Sequence, residues 1–206
     1  MLTVWSFFKK RADLSHQDFL DHWTQVHPDF VRSLPGLKRY VQHRPVPERT
    51  QAPPAFDCFV ELVVQDIGSL RRLPDTGPYA NLIEDEARFL DRSSMQLLLT
   101  EELRLSKSPM DDGLEKIGLL KRAAAWTPQQ FQLELPVRCR DWLTGLAHAP
   151  GLRLFLPRLA GYDNDRKVAW DAVVVMGGAL KEEQAPWLTG ACVDPGRSVL
   201  ATTRAH

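Results

Sequence analysis

Apolar side chains recur every three or four residues in one stretch near the start of the chain, which places them along one side of a helix. The stripe consists of Phe19, Trp23, His27, Phe30, Val31 and Leu34. Ser15 is a good N-cap because its hydroxyl can accept an amide hydrogen bond from the first turn. A Pro-Gly pair directly after Leu34 stops the helix. The pattern therefore predicts a helix over residues 15–34 with His27 on its apolar side.

Runs of β-forming residues predict four strands in the first half of the chain. They cover residues 1–9, 37–43, 56–64 and 95–101. A second helical pattern, over residues 67–90, is interrupted by a Pro-Asp-Thr-Gly-Pro turn, and the proline-rich stretch 45–55 is predicted to be a loop. The resulting order, strand-helix-strand-strand-helix-strand, is the ferredoxin-like arrangement.

The second half repeats this design after a segment of linker composition, residues 106–113. Thr127 takes the place of the Ser15 cap, the triplet starting at Pro150 matches the one starting at Pro35, and Phe155 falls where Tyr40 did. A shortened helix is expected at 179–188 and a last strand at 198–203. We therefore predict three segments: a repeat with the functional site (1–105), the linker, and a degenerate repeat (114–206).

The offset between the repeats rises from 112 to 115 residues within the long helix, where Pro136 is expected to introduce a kink or an extra turn. The counterpart of His27 is therefore either Cys139 or Trp142. Neither is a histidine, so any site that depends on histidine is confined to the first half.

Composition narrows the class of protein further. The 26 basic and 26 acidic residues cancel and are interspersed, which argues against a nucleic-acid surface. No apolar run approaches the roughly 20 residues that span a bilayer, and we expect a cytoplasmic protein that binds no membrane. Three widely spaced cysteines indicate buried small side chains rather than a disulfide framework or a zinc site.

The sequence resembles the EthD family of dimeric α+β barrel proteins. The resemblance is carried by Lys10-Arg11, Leu14-Ser15, Trp23, Val26-His27-Pro28, Leu34-Pro35-Gly36-Leu37 and Tyr40, and then by Asp85-Glu86 and Phe89. It covers residues 1 to about 105. It implies an α+β fold in which two tandem ferredoxin-like units pack sheet to sheet as an intrachain barrel. With both sheets in one chain, we expect a monomer, or a homodimer formed through another surface.

His27 is the leading candidate for chemistry. A neutral imidazole can accept a proton near pH 7 or ligate a metal, and the helical spacing directs this one toward the space between helix and sheet. The other interpretation of His27 is a buried side chain that bonds to the backbone. Tyr40 could donate a hydrogen bond to a carbonyl or a developing oxyanion, although a tyrosine in a strand also serves packing.

A small hydrophobic ligand would contact aromatic and polar side chains of the first half. The candidates are Trp5, Phe7, Trp23, Phe30, Asp57, Phe59 and Tyr79. Aromatic residues at these spacings also build cores, and the apparent counterpart Asp171 favours a structural role for Asp57. His16 and His43 are expected to be exposed.

Three functions remain open at this point. The first is a cofactor-free enzyme of the lyase, isomerase or monooxygenase-like kind, in which His27 transfers protons on an aromatic or polyketide-like compound during decarboxylation, dehydration, cyclisation or isomerisation. The second is a small-molecule binding or accessory protein in a degradation pathway. The third is a haem-binding barrel protein. No phosphate loop and no serine-hydrolase motif is present.

Overall fold

The computed structural model describes residues 1–46, 55–106, 108, 113–162, 168–177 and 191–206. These residues form two compact units, one made of 1–44, 56–99 and His206, the other of 45–55 and 100–205. Most of the predicted loop at 45–55 and the predicted helix at 179–188 lie outside the described residues. The division at the linker 106–113 stays a prediction.

The first unit has the predicted order of elements. Its strands are β1 (Leu2–Lys10), β2 (Leu37–Pro45), β3 (Cys58–Val64) and the part of β4 (Leu90–Arg104) that ends at Leu99, and its helices are α1 (His16–Asp21), α2 (His27–Arg32), α3 (Ile67–Arg72) and α4 (Gly77–Phe89). The sheet order is β2-β3-β1-β4, and β3 pairs antiparallel with both of its neighbours. This is the order of a ferredoxin-like sheet.

The helix predicted over residues 15–34 is present but is not one continuous α-helix. Ser15 caps it as predicted, because its hydroxyl accepts the Asp18 amide at 3.0 Å. A π-helical turn, His22–Val26, separates α1 from α2. Such a turn inserts one residue into the hydrogen-bond ladder and is frequent at functional sites. The apolar spacing did not predict it.

The two faces of the first sheet carry different side chains because successive strand residues point to opposite sides. Phe8, Cys58 and Val60 pack against Phe19 and Trp23 of the helical segment. On the opposite face Phe7 lies beside Trp5 with ring centroids 6.1 Å apart, and Phe59 meets the edge of Phe7 at 5.7 Å. His27 was predicted to face the helix-facing side of this sheet.

The second unit repeats the ferredoxin-like order over its described residues. Its strands are β5 (Leu114–Leu120), β6 (Leu152–Pro157), β7 (Ala172–Gly177) and β8 (Val199–Ala205), and its long helix is α5 (Pro128–Thr144). The sheet order is β8-β5-β7-β6, and Thr100–Arg104 of β4 pairs with β6. Thr127 and Gln130 form the predicted capping box at the start of α5.

Strand pairing corrects the predicted match between the repeats. Tyr40 pairs with Leu62 across β2 and β3, and the equivalent pair in the second unit is Leu152 with Met176. Phe155 pairs with Val173 instead, so it lies on the sheet face away from α5. A β-bulge between Leu37 and Arg39 accounts for one residue of this difference, because it changes the register after the Pro-Gly-Leu triplet of the first unit.

Candidate functional site

Asp85 lies between two histidines in the first unit. Its Oδ2 is 2.8 Å from Nδ1 of His27, and its Oδ1 is 2.8 Å from Nε2 of His22. Asp85 is 1% exposed. A carboxylate only accepts hydrogen bonds, so both facing ring nitrogens carry hydrogens. His27 therefore presents a lone pair at Nε2.

The helical elements explain why these groups meet. The His27 amide donates to the His22 carbonyl across the π turn. Five residues of an ordinary α-helix would leave the two side chains about 140° apart around the axis, whereas the i→i+5 bond brings them to nearly the same side. Asp85 shares the buried side of α4 with Leu82 and Phe89. The π turn and α4 together assemble the cluster.

His27 is held in the form of a neutral base. Burial lowers the pKa of His27 below its ordinary value of 6.5, and the hydrogen bond that its Nδ1 donates to Asp85 opposes this effect. The ring packs edge-on against Phe89, with centroids 4.8 Å apart. Among the described residues, no side chain or carbonyl bonds to Nε2 of His27. This nitrogen can accept a proton from a ligand.

Tyr40 lies beside His27, with the ring centroids 6.5 Å apart in a T-shaped arrangement. Its hydroxyl oxygen accepts a hydrogen bond of 2.7 Å from Nε2 of Gln42, which also donates to the Trp23 carbonyl. Burial raises the pKa of Tyr40, so its hydroxyl stays protonated. That hydrogen is donated to none of the described residues. Tyr40 can therefore donate to a ligand oxygen.

The Trp23 indole is a further buried donor near Tyr40. Trp23 is fully buried, and its Nε1 makes no hydrogen bond within the described ranges. The indole lies close enough to the Tyr40 hydroxyl to oppose the rise in the Tyr40 pKa slightly, but its N–H lacks the orientation of a hydrogen bond. Trp23 therefore adds an indole N–H without a hydrogen-bond partner to the lone pair of His27 and the hydroxyl hydrogen of Tyr40.

Glu86 adjoins this cluster on α4. Burial raises its pKa to about 7, and Asp85 adds to the effect while Arg92 opposes it. The Arg92 Nη1 atom is 3.8 Å from Glu86 Oε2. Near neutral pH, Glu86 is therefore a mixture of the protonated and charged forms.

The predicted aromatic contacts divide between the two faces of the sheet. Trp23 joins His27 and Tyr40, whereas Trp5, Phe7 and Phe59 pack on the opposite face. His43 also lies on that opposite face and is 1% exposed, so the expectation that it is exposed was wrong.

The remaining predicted ligand residues have structural contacts. Asp57 Oδ2 accepts the Lys10 amide at 3.0 Å, as Asp171 does from Arg122 in the second unit. Phe30 and Tyr79 pack at the edge of a cluster that contains Val31, Leu34, Leu73 and Leu82. Their roles in ligand binding stay predictions.

Three groups of the cluster were not predicted from the sequence. They are His22, Gln42 and, as the partner of His27, Asp85. A signal for Asp85 was present, because an acidic residue that shares a helical stripe with Leu82 and Phe89 must have a buried partner. His22 gave no such signal, since its position relative to His27 depends on the π turn.

The second unit has no equivalent cluster among its described residues. Phe131, Leu135, Cys139 and Leu143 continue the helical stripe at the offset of 112 residues, so Cys139 rather than Trp142 corresponds to His27. Tyr40 and Gln42 correspond to Leu152 and Leu154 by strand pairing. All four side chains on α5 and both leucines belong to one apolar core. The polar site is therefore a feature of the first unit.

The described residues show neither a metal-binding group nor a membrane-spanning helix. Within the described ranges, no three His, Cys, Asp or Glu side chains are grouped as metal ligands. Cys58, Cys139 and Cys192 are buried free thiols, as expected. In the same described ranges, no helix is both long and apolar enough to cross a membrane.

Comparisons with known proteins find a family match in the first half of the chain. Residues 11–93 match the family model of the EthD domain. An EthD family protein from Bacillus halodurans is 21% identical over 50% of this chain and 99% of its own, with a TM-score of 0.43. No curated protein matches the chain.

Two solved structures resemble almost the whole chain. A putative monooxygenase from Lactobacillus acidophilus is 8% identical over 99% of this chain and 92% of its own, with a TM-score of 0.52. A mutant chlorite dismutase from Candidatus Nitrospira defluvii is 10% identical over 98% of this chain and 90% of its own, with a TM-score of 0.57. These likenesses concern the fold alone, and they confirm the predicted α+β barrel fold.

Proposed function

Because residues 11–93 match the family model of the EthD domain, we propose that the protein binds a small hydrophobic compound beside His27 and moves a proton on it without a cofactor. The observation that carries the proposal is the bond from His27 Nδ1 to Asp85 Oδ2 at 2.8 Å. A carboxylate that holds one imidazole nitrogen orients the ring and leaves the other nitrogen as the base.

The proposed step is proton abstraction next to a carbonyl group. Nε2 of His27 takes a proton from a C–H bond, and the electron pair of that bond moves onto the carbonyl oxygen to form an enolate. The Tyr40 hydroxyl donates a hydrogen bond to this oxygen and stabilises its charge. The imidazolium then returns its proton to another carbon or to a leaving hydroxyl group. The first outcome is an isomerisation, and the second is a dehydration.

The surroundings suit this chemistry. His27 is 4% exposed, so the Nε2 lone pair is shielded from bulk water. Phe19, Trp23 and Phe89 make the surroundings of this region apolar. In such a site a hydrogen bond to a developing oxyanion is worth more than it is in water.

A set of four proteins tests the proposal. The wild type, His27→Asn, Tyr40→Phe and Cys139→Ala are screened by thermal shift against enolisable aromatic carbonyl compounds, and every stabilising compound is assayed for turnover. We expect the first two variants to lower turnover by about 10² to 10⁴-fold. Cys139→Ala alters the counterpart of His27 in the second unit and should retain activity. Full activity of His27→Asn would contradict the proposal.

The same screen distinguishes a binding or accessory protein. In that case compounds stabilise the wild type and are not converted, and His27→Asn weakens binding without any effect on a rate. We place catalysis first because a lone pair at Nε2 and a hydrogen at Tyr40 form a base and donor pair, which binding alone does not require.

Haem is the second candidate for the same nitrogen. A histidine that ligates iron through one ring nitrogen commonly donates the other N–H to a carboxylate, as His27 does to Asp85. In that case His27 would hold the iron, and the iron would supply redox chemistry. A Soret band in protein produced with iron and a haem precursor, lost in His27→Asn, would favour this alternative.

A further inference from the structure

His22 has no part in the proton transfer described above, although it shares Asp85 with His27. Its Nε2 bonds to Asp85 Oδ1 at 2.8 Å, so each carboxylate oxygen has its own histidine. The His22 bond fixes the rotation of the carboxylate about its own axis. As a result, Oδ2 is held toward His27.

The turn that brings His22 to Asp85 is not a requirement of the fold. In the second unit the corresponding helix, α5, is α-helical from Pro128 to Thr144 without a π turn. At the same offset of 112 residues, Glu134 stands where His22 does, and it pairs with Arg138 on its own helix at 2.7 Å. The π turn therefore accompanies the two histidines and their shared carboxylate.

The three members of the cluster differ in access to solvent. The side chain of His22 is 24% exposed, whereas those of Asp85 and His27 are 1% and 5% exposed. Phe89, which is also on α4, packs against both rings at a centroid distance of 4.8 Å. A proton from solvent can reach His22 before it reaches His27.

The charges around His27 set a limit of one proton for the pair. Asp85 from α4 favours a charge on His27, and His22 from the same helical segment disfavours it. Tyr40, which faces His27 from β2, stays neutral, and the charge of Asp85 raises the pKa of Glu86. One carboxylate can offset one imidazolium, and a second would remain buried without compensation.

We propose that His22 is a positioning residue that fixes the tautomer of His27 and limits its affinity for protons through Asp85. The importance of this role for turnover rests on the proposed function. The coupling itself does not, since it concerns two ring nitrogens and one carboxylate. A positive charge on His22 makes His27 a weaker base.

The test is a ¹⁵N–¹H spectrum of the histidine rings recorded across a pH titration of the ligand-free protein. The variants are His22→Gln, which keeps an N–H donor without a titrating charge, and His22→Phe, which removes the donor. His16→Gln is the matched control because His16 is exposed and lies outside the cluster. In the wild type we expect His27 with hydrogen on Nδ1 and a lone pair on Nε2.

The expected result is a rise in the His27 pKa by about half a pH unit or more in His22→Gln, with the tautomer unchanged. In His22→Phe we expect a mixture of tautomers, because the Asp85 carboxylate is no longer held toward Nδ1 of His27. His16→Gln should change neither. If His22→Phe does not fold, the comparison of His22→Gln with His16→Gln decides alone.

An unchanged His27 pKa in His22→Gln would overturn the inference. Failure of the proposed function would look different, because the coupling would be present while no compound binds or reacts. Conversely, turnover with no effect of His22 on the His27 titration would remove only the role assigned to His22.

Discussion

His27 has one ring nitrogen bound to Asp85 and one without a bond partner among the described residues, so replacements can separate its two roles. The sequence pattern predicted a buried imidazole between helix and sheet, and this was confirmed by its exposure of 4%. The pattern did not reveal Asp85 as its partner, because the two residues are brought together only by tertiary packing. A variant that keeps a donor to Asp85 but lacks Nε2 therefore separates a structural role of His27 from a catalytic one.

We predict that His27→Ala lowers the free energy of unfolding by about 1 to 3 kcal/mol, since it leaves a buried oxygen of Asp85 without a donor. His27→Asn should retain most of the stability because its side-chain amide can donate to the same oxygen. Chemical denaturation at pH 7.5 measures both values. Equal losses in the two variants would show that the Asp85 bond is not what holds the ring.

Glu86 provides a test of pH dependence. Its pKa is raised from 4.5 to about 7 in the folded protein, so the folded state holds the proton more tightly and stability from this group is lost as pH rises from 4.5 to 7. We expect the free energy of unfolding of Glu86→Gln to be about 1 to 3 kcal/mol higher than that of the wild type at pH 8. The difference should vanish near pH 4.

His27 acts in the opposite direction. Its folded pKa is lowered from 6.5, so its contribution to stability is lost as pH falls below about 6.5.

A Glu86→Gln protein that is no more stable than the wild type at pH 8 would show that the carboxylate is better solvated than its environment indicates.

At the scale of secondary structure, residues near the helix starts were predicted well because caps are local. Ser15 and Thr127 both accept the amides that their positions imply. The π turn at His22–Val26 was not predicted. It occurs together with a hydrogen bond from His22 to Asp85, which lies on α4, and such a tertiary contact leaves no local pattern in the sequence. The β-bulge between Leu37 and Arg39, which shifts the strand register, was also not predicted.

Asp57 and Asp171 offer a matched pair of strand-end carboxylates. Each accepts a backbone amide at the end of the first strand of its unit, at 3.0 Å in both cases. We expect Asp57→Ala and Asp171→Ala each to cost about 1 to 3 kcal/mol of stability and to leave ligand affinity unchanged. Thermal unfolding and a binding titration check this. Loss of affinity in Asp57→Ala alone would return Asp57 to the ligand site.

Across the whole chain, the tandem arrangement and the fold class followed from repeated caps, prolines and strand order. The residue-by-residue match between the repeats did not follow from alignment alone, because Phe155 was matched to Tyr40 when strand pairing assigns Leu152. With Cys139, Leu152 and Leu154 in place of His27, Tyr40 and Gln42, the second unit has an apolar core where the first has polar groups.

This asymmetry predicts one ligand per chain. Isothermal titration of any compound found in the screen should give a stoichiometry near one, and Tyr40→Phe should weaken binding. Leu152→Ala, the matched change in the second unit, should lower stability by about 2 to 5 kcal/mol without an effect on affinity. A stoichiometry of two would mean that the second unit also binds.

In the proposed complex Nε2 of His27 faces the bound molecule, and histidine ring spectra of ¹⁵N-labelled protein report on this nitrogen. The screened carbonyl compound that stabilises the protein most is added stepwise to the wild type at constant pH. We predict that the His27 Nε2 resonance moves in proportion to occupancy, that Nδ1 stays bonded to Asp85, and that the exposed His16 does not respond. Saturated binding with an unchanged His27 Nε2 resonance would contradict the account.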